Sequence, residues 1–244
     1  MIYFTSSWDD GSIYDLKLAE LLQRYNQKAT LYIPIENIEN RAVVTADQIK
    51  DLSGQFEIGA HTVHHKYLIT LSDQDAKTEI TESKLMLEDI IQKEVFGFCF
   101  PGGKFKKVHL NLVKQAGFKY VRTVNMFNNF RGNYIVNTTL QAYDHSPYTY
   151  IRHLLKRGYL LELFQNFILI MRSGSWDKLL ANILNNQIKR DEAQKLTVIH
   201  LWGHSWEIEE SNSWHKLSQF FKVLNEYQIQ SKTNFEIIQL KSPA

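Results

Sequence analysis

Ile2-Tyr3-Phe4-Thr5-Ser6-Ser7-Trp8-Asp9-Asp10-Gly11 reads as a buried strand that ends on two adjacent carboxylates and a glycine. The next segment, 12–25, changes period: Ile13, Leu16, Ala19 or Leu21, and Leu22 fall on one helical face. That switch recurs along the chain. Strands are expected at 29–33, 56–60, 95–100, 118–124, 196–202 and, last, 235–240. Between them, Thr45-Ala46-Asp47-Gln48 has capping-box form and opens a helix to Leu52. Residues 72–93 place Ala76, Ile80, Leu87 and Ile91 on one stripe with charges opposite. Further helices are expected at 108–116, stopped by Gly117, and at 214–227. Alternating strands and helices predict an α/β fold with a mostly parallel sheet. The number of units predicts a TIM-like, deformed (β/α) barrel of about seven strands, with chemistry gathered where strands run into the following loops.

Residues 148–172 and 176–189 read as two helices joined at Ser173-Gly174-Ser175. The stretch 145–190 is therefore either a set of barrel helices or a helical insertion. No internal repeat, low-complexity tract or linker interrupts the 244 residues, so 1–244 reads as one domain. Composition narrows the function classes. With 28 basic and 26 acidic residues, the net charge of +2 leaves no basic stripe for nucleic acid. The single cysteine, Cys99, excludes a disulfide framework and fits a reducing compartment. Aromatic residues, 13% of the chain, exceed what a core strictly needs; sugar clefts use such surface, although most such rings pack the interior. The first residues show no basic and apolar leader, and the apolar stretch 159–171 is interrupted and too short to span a bilayer. No transmembrane segment and a cytoplasmic location are the expectations.

The strand ends carry the chemistry. Two carboxylates closing a buried strand repel and resist desolvation, which a cation or a shared proton relieves. The ordinary alternative is an Asp-Gly turn with Asp10 capping the next helix. The third strand ends Gly59-Ala60-His61-Thr62-Val63-His64-His65, three of the chain's 9 histidines in five positions. At i, i+4 spacing, one helical turn would bring His61 and His65 together, with His64 pointing elsewhere; paired surface histidines are the plain alternative. Asp10, His61 and His65 together make a three-ligand metal site with open positions, leaving Asp9 as a base. In Val198-Ile199-His200-Leu201-Trp202-Gly203-His204-Ser205-Trp206-Glu207, His204 lies at the expected rim and His200 inside the strand. Trp206 could wall a cleft or pack, whereas Trp202 is expected to pack.

These motifs resemble the polysaccharide deacetylases of carbohydrate esterase family four, which include nodulation-type chitooligosaccharide deacetylases. Ser7-Trp8-Asp9-Asp10-Gly11 is similar to the first motif of that family, and His61-Thr62-Val63-His64-His65 to the second. Phe100-Pro101-Gly102-Gly103 stands in the place of the third, and 199–204 in that of the last. The resemblance implies a deformed barrel acting as a metal-dependent N-deacetylase on an N-acetylated sugar, oligosaccharide or glycan precursor. It implies Asp9 as general base, zinc or another divalent metal on Asp10, His61 and His65, and His204 as general acid, with His200 as its substitute. A backbone N–H near Gly102 would join oxyanion binding, and Trp206 would contact substrate. The chain departs from the pattern at the third motif, where Cys99 and Gly102 replace an arginine and a tyrosine. Arg122, a charge in the apolar strand 118–124, is the candidate partner of Asp9 in place of that arginine. No counterpart of the fourth motif is found; Trp176-Asp177 has its letters reversed. Hydrolysis of another C–N bond, in a ureide or cyclic amide, and non-catalytic carbohydrate binding are the alternative functions.

Overall fold

Seven of the eight residues of strand β1 (Ile2–Asp9) are buried, and the rest of the sheet is assembled around it. The computed structural model describes residues 1–127, 134–190 and 196–241. β1 pairs in parallel with β2 (Thr30–Ile33) on one side and β8 (Thr197–Gly203) on the other. Beyond β2 follow β3 (Glu57–Ala60), β4 (Gly97–Cys99), β5 (Tyr120–Arg122) and β6 (Ile135–Val136). Beyond β8 lies β7 (Leu140–Gln141), and the two-residue β9 (Gln230–Ser231) pairs with β1. The two edge strands, β6 and β7, are separated by only Asn137, Thr138 and Thr139. Thr139 N–H donates to the His200 carbonyl at 2.8 Å, and Thr123 N–H to Val136 at 2.8 Å, so this short link ties one edge of the sheet to the other. The sheet thus curls into a deformed (β/α) barrel. With β6 and β7 as two halves of one interrupted strand, it has the expected seven positions.

Period-two alternation decides what faces the lumen. On β1, Phe4 and Trp8 join the core between sheet and helices, whereas Tyr3 joins a second cluster inside the barrel with Tyr32, Tyr120 and Val198. The same face continues through Thr5 and Ser7, which bond Asn234 and His200, to Asp9 at the mouth. Around the sheet lie α1 (Asp15–Arg24), α2 (Ala46–Leu52), α3 (Asp73–Ile91) and α4 (Lys107–Gln115). After β7 come α5 (Pro147–Lys156), α6 (Leu160–Arg172) and α7 (Trp176–Arg190). After β8 come α8 (Ser205–Glu210), α9 (Trp214–Glu226) and α10 (Asn234–Lys241).

Four local expectations are corrected. Residues 235–240 are helical, not a strand: Glu236 accepts from Thr233 N–H at 2.8 Å while Thr233 Oγ1 accepts from Glu236 N–H at 3.3 Å, a capping box that starts α10. The helix expected at 148–172 is two helices, because Gly158 takes φ 70° and ends α5. The buried stripe of α3 is not charge-free, since Glu79 and Lys84 lie on it. The short strands β6, β7 and β9 had not been expected. Within 145–190, α7 packs against β7 and α9 and belongs to the barrel layer, while α6 packs on α5 and α7 as an outer helix.

Candidate active site

The loop after β3 brings the paired histidines together without a helix. Thr62 and His65 adopt left-handed φ values of 68° and 56°, which fold the chain back within five residues, so the helical turn expected for 61–65 is corrected although its consequence stands. The rings of His61 and His65 lie 5.1 Å apart. Asp10, itself at φ 75°, projects between them: its Oδ1 is 3.0 Å from His65 Nε2 and 3.5 Å from His61 Nε2. Left-handed backbone at three non-glycine residues is costly, and here it gathers on both motifs at once. His61 Nδ1 lies 2.8 Å from the Cys99 carbonyl, which can only accept, so Nδ1 donates there and Nε2, turned to Asp10, is the nitrogen that a metal would take in place of its proton. His65 Nδ1 is buried without a hydrogen bond, with Glu39 Oε1 at 3.7 Å. One ligand atom from each of Asp10, His61 and His65 lies within 4.8 Å of the others. Burial would push the Asp10 carboxyl up, but hydrogen bonds from His61 and His65 and the charge of His204 hold it far below the usual range. Two imidazoles and a carboxylate on one small volume are a donor set that fits a divalent ion.

Asp9 faces the lumen beside this cluster and is 3% exposed. The fully buried Arg122 donates from Nη2 to Asp9 Oδ1. The register explains the reach: Cys99 on β4 and Arg122 on β5 are directly paired, so the guanidinium comes from one strand further along. The Cys99 thiol keeps the neighbouring place, 3.8 Å from Asp9 Oδ2. Arg122 also lies over the rings of Tyr32 and Trp202, at 5.1 and 5.0 Å, so an aromatic cage holds the charge. Asp9 balances the cost of burying it and holds the guanidinium charged.

His204 follows β8 and stands across the mouth. Its Nδ1 donates to Glu207 at 2.7 Å, and its Nε2 lies 3.9 Å from Asp10 Oδ2. Burial pulls its pKa down, but the Glu207 hydrogen bond and the charges of Asp10, Glu207 and Asp9 raise it to about 9, so the ring is an imidazolium at neutral pH. Trp206 stacks on His204 at 5.2 Å, donates from Nε1 to Asp10 Oδ2 at 2.9 Å, and has Arg41 over its ring at 3.5 Å. Trp202, expected only to pack, also lines the cavity.

Asp9, Asp10, His61, His65, Gly102, His204 and Trp206 all border one cavity of about 320 Å³. Gly102, at φ 61°, holds a backbone conformation that strains any side chain, and a Cβ there would press on the Tyr67 ring at 3.0 Å. Tyr67 thus fills the wall that Gly102 leaves open. His200, expected as a substrate contact and substitute acid, does not line this cavity. It is buried below the mouth, where Ser7 Oγ holds Nε2 at 2.8 Å and the Asn137 carbonyl holds Nδ1 at 3.0 Å. Burial and Arg122 push its pKa down to about 3, so it is a neutral lumen residue.

Several residues of the site escaped the sequence reading. Glu79 of α3 accepts from Val63 N–H and His64 N–H, each at 3.0 Å, and from His64 Nδ1 at 2.7 Å, anchoring the loop between the two paired histidines. Its position three residues after Ala76, on the apolar stripe of α3, was the available signal. Glu207, quoted within the last motif without a role, fixes His204. Glu39, Arg41 and Tyr67 reach the cavity from loops whose sequence carries no motif.

A parallel, curled barrel with an aspartate and two histidines gathered at its strand ends defines a recognisable class of (β/α)-barrel proteins. Residues 2–121, just under half of the chain, match the polysaccharide deacetylase family model. YxkH of Bacillus subtilis (strain 168), assigned as a polysaccharide deacetylase, is 24% identical over 115 residues, 46% of this chain. That match spans 41% of YxkH, so less than half of the relative is represented. The fold is similar to that of the Bc1960 peptidoglycan N-acetylglucosamine deacetylase, with a TM-score of 0.63, 16% identity, and 97% and 88% of the two chains covered. It is also similar to a family 4 acetyl xylan esterase from Clostridium thermocellum, solved with a cobalt ion, with a TM-score of 0.61, 14% identity, and coverage of 99% and 92%. BA3943 of Bacillus anthracis, a pseudoenzyme of carbohydrate esterase family 4, matches at a TM-score of 0.56 and 16% identity, over 98% and 65% of the two chains. At these identities the likeness to solved structures is one of fold.

Proposed function

We propose that the protein is a metal-dependent hydrolase that removes an N-acetyl group from an amino-sugar-containing glycan or glycan precursor. The observation that carries this reading is the arrangement at one cavity: Asp10, His61 and His65 converge, Asp9 is held by Arg122 beside them, and His204, fixed by Glu207, turns its Nε2 toward Asp10. Asp10, His61 and His65 would hold a divalent ion, zinc by donor type. When bound, such an ion supplies Lewis acidity at the mouth of the barrel. Asp9 accepts a proton from the attacking water, and Arg122, on Oδ1, holds the carboxylate in place for that task. His204 gives its Nε2 proton to the departing amine, which needs one because an amide anion is a poor leaving group. Glu207, at Nδ1, keeps that ring oriented and charged. A backbone N–H near Gly102 would join in binding the developing oxyanion. Trp206, with Tyr67 and Trp202, gives the flat walls on which a sugar ring packs.

The test is release of acetate from N-acetylglucosamine oligosaccharides by the purified, zinc-loaded protein, with small ureides and cyclic amides as competing substrates. Acetate release that falls by about two to four orders of magnitude in Asp9→Asn, with metal content unchanged, is the expected result. Turnover of ureides alone would assign the other C–N hydrolase reading. Equal activity in Asp9→Asn would remove that residue from the mechanism.

A further inference from the structure

Helix α6 turns its apolar residues outward. Leu160, Leu161, Phe164, Phe167, Ile168 and Met171 are between 46% and 84% exposed, while Ile170 packs inward. At 3.6 residues per turn these six fall in one stripe about 120° wide, the geometry of a helix with a second apolar face. Single apolar residues on a surface are ordinary, but a contiguous stripe marks a contact. The surroundings are predominantly cationic. Residues 145–190 contain seven Lys and Arg against two acidic residues, a net +5 in a chain whose total is +2. The remainder of the molecule is therefore net negative. Lys156 and Arg157 stand just before the start of α6, Arg172 at its end and Arg152 on the adjoining α5, all exposed.

We propose that this face docks on an anionic lipid bilayer, with the apolar stripe of α6 in the boundary between headgroups and acyl chains and the flanking cations on the headgroups. The helix lies on the membrane and does not cross it: its 13 residues span only about 20 Å, and no described helix is long and apolar enough to cross. A second copy of the chain is the poorer occupant, because a two-fold contact sets the same patch against itself and brings like cations together. The docking surface stands on the outer helices and does not rest on the chemistry proposed for the cavity.

The experiment is co-sedimentation of the full chain with vesicles of equimolar phosphatidylglycerol and phosphatidylcholine, and with vesicles of phosphatidylcholine alone. Binding to the anionic vesicles is expected, reduced about tenfold or more by Phe164→Glu with Ile168→Glu. A similar loss is expected from Arg152→Gln with Lys156→Gln and Arg157→Gln, and from high salt. All these positions are solvent-facing, so melting temperature and acetate release from a soluble oligosaccharide stay at the wild-type level. Absence of binding to anionic vesicles overturns the proposal, as does equal binding to neutral ones. A wild-type dimer that Phe164→Glu dissociates in sedimentation velocity, without vesicle binding, assigns the face to a second copy and overturns it equally.

Discussion

Arg122 and His204 show how much of the site rests on single charges held by single partners. Arg122 is fully buried and its guanidinium is paired with Asp9. Removing one partner of such a pair leaves the other charge uncompensated, so Arg122→Met is expected to cost about 3–5 kcal/mol of stability. A denaturant titration reads that loss, and a change below the ordinary surface range of about 0.5 kcal/mol would show Asp9 to be held otherwise. His204 answers to pH. Its folded pKa of about 9 lies above the ordinary 6.5, so the stabilisation from its charge is complete below pH 6.5 and is lost as pH rises through 9. In metal-free protein, an NMR titration of His204 should show this midpoint, and Glu207→Gln should move it down toward 6.5. A midpoint already near 6.5 in the unsubstituted protein would contradict His204 as the charged acid. Asp15, fully buried at the start of α1 beside Ser205, is pushed up to about 7 by burial and by the charges of Asp10 and Asp9. Burial, with the negative charge at the mouth added to it, thus keeps a third carboxyl from ionising freely.

At the scale of elements, the loops matter more than the strands that launch them. The loop carrying His61 and His65 depends on Glu79, which reaches from α3 to accept three hydrogen bonds from Val63 and His64. Glu79→Ala is expected to weaken metal affinity by about 10–100-fold, the range for groups that orient ligands, here acting through the loop between His61 and His65. Competition with a chromophoric chelator measures it, and unchanged affinity would show that the loop holds its left-handed turns unaided. The same loop shows where the sequence was legible and where it was not. Asp10, His61 and His65 could be read as one cluster because their residue types and strand-end positions are local facts. Glu79 could not, because its partner lies fifteen residues away and only its misplaced charge on an apolar stripe betrayed it. Gly158 and the Thr233 to Glu236 capping box were legible signals; the apolar residues around them outweighed both, and so 148–172 was read as one helix and 235–240 as a strand.

For the whole molecule, alternation of strand and helix was enough to predict a parallel barrel, because period switching is written into every segment. Closure was not legible. It depends on two-residue strands, β6 and β7, whose pairing is set by partners far along the chain. Arg122 lies between these cases: a charge in an apolar strand demanded a partner, and the register between β4 and β5 puts it in reach of Asp9. A barrel of this fold does not by itself decide activity, and one of the similar structures is a pseudoenzyme. The decision lies with the ion. Metal content of the purified protein, by mass spectrometry after dialysis against zinc, should show one equivalent in the wild type and almost none in Asp10→Ala or His61→Ala. A metal-free wild type, or a content that neither substitution changes, would contradict the central claim.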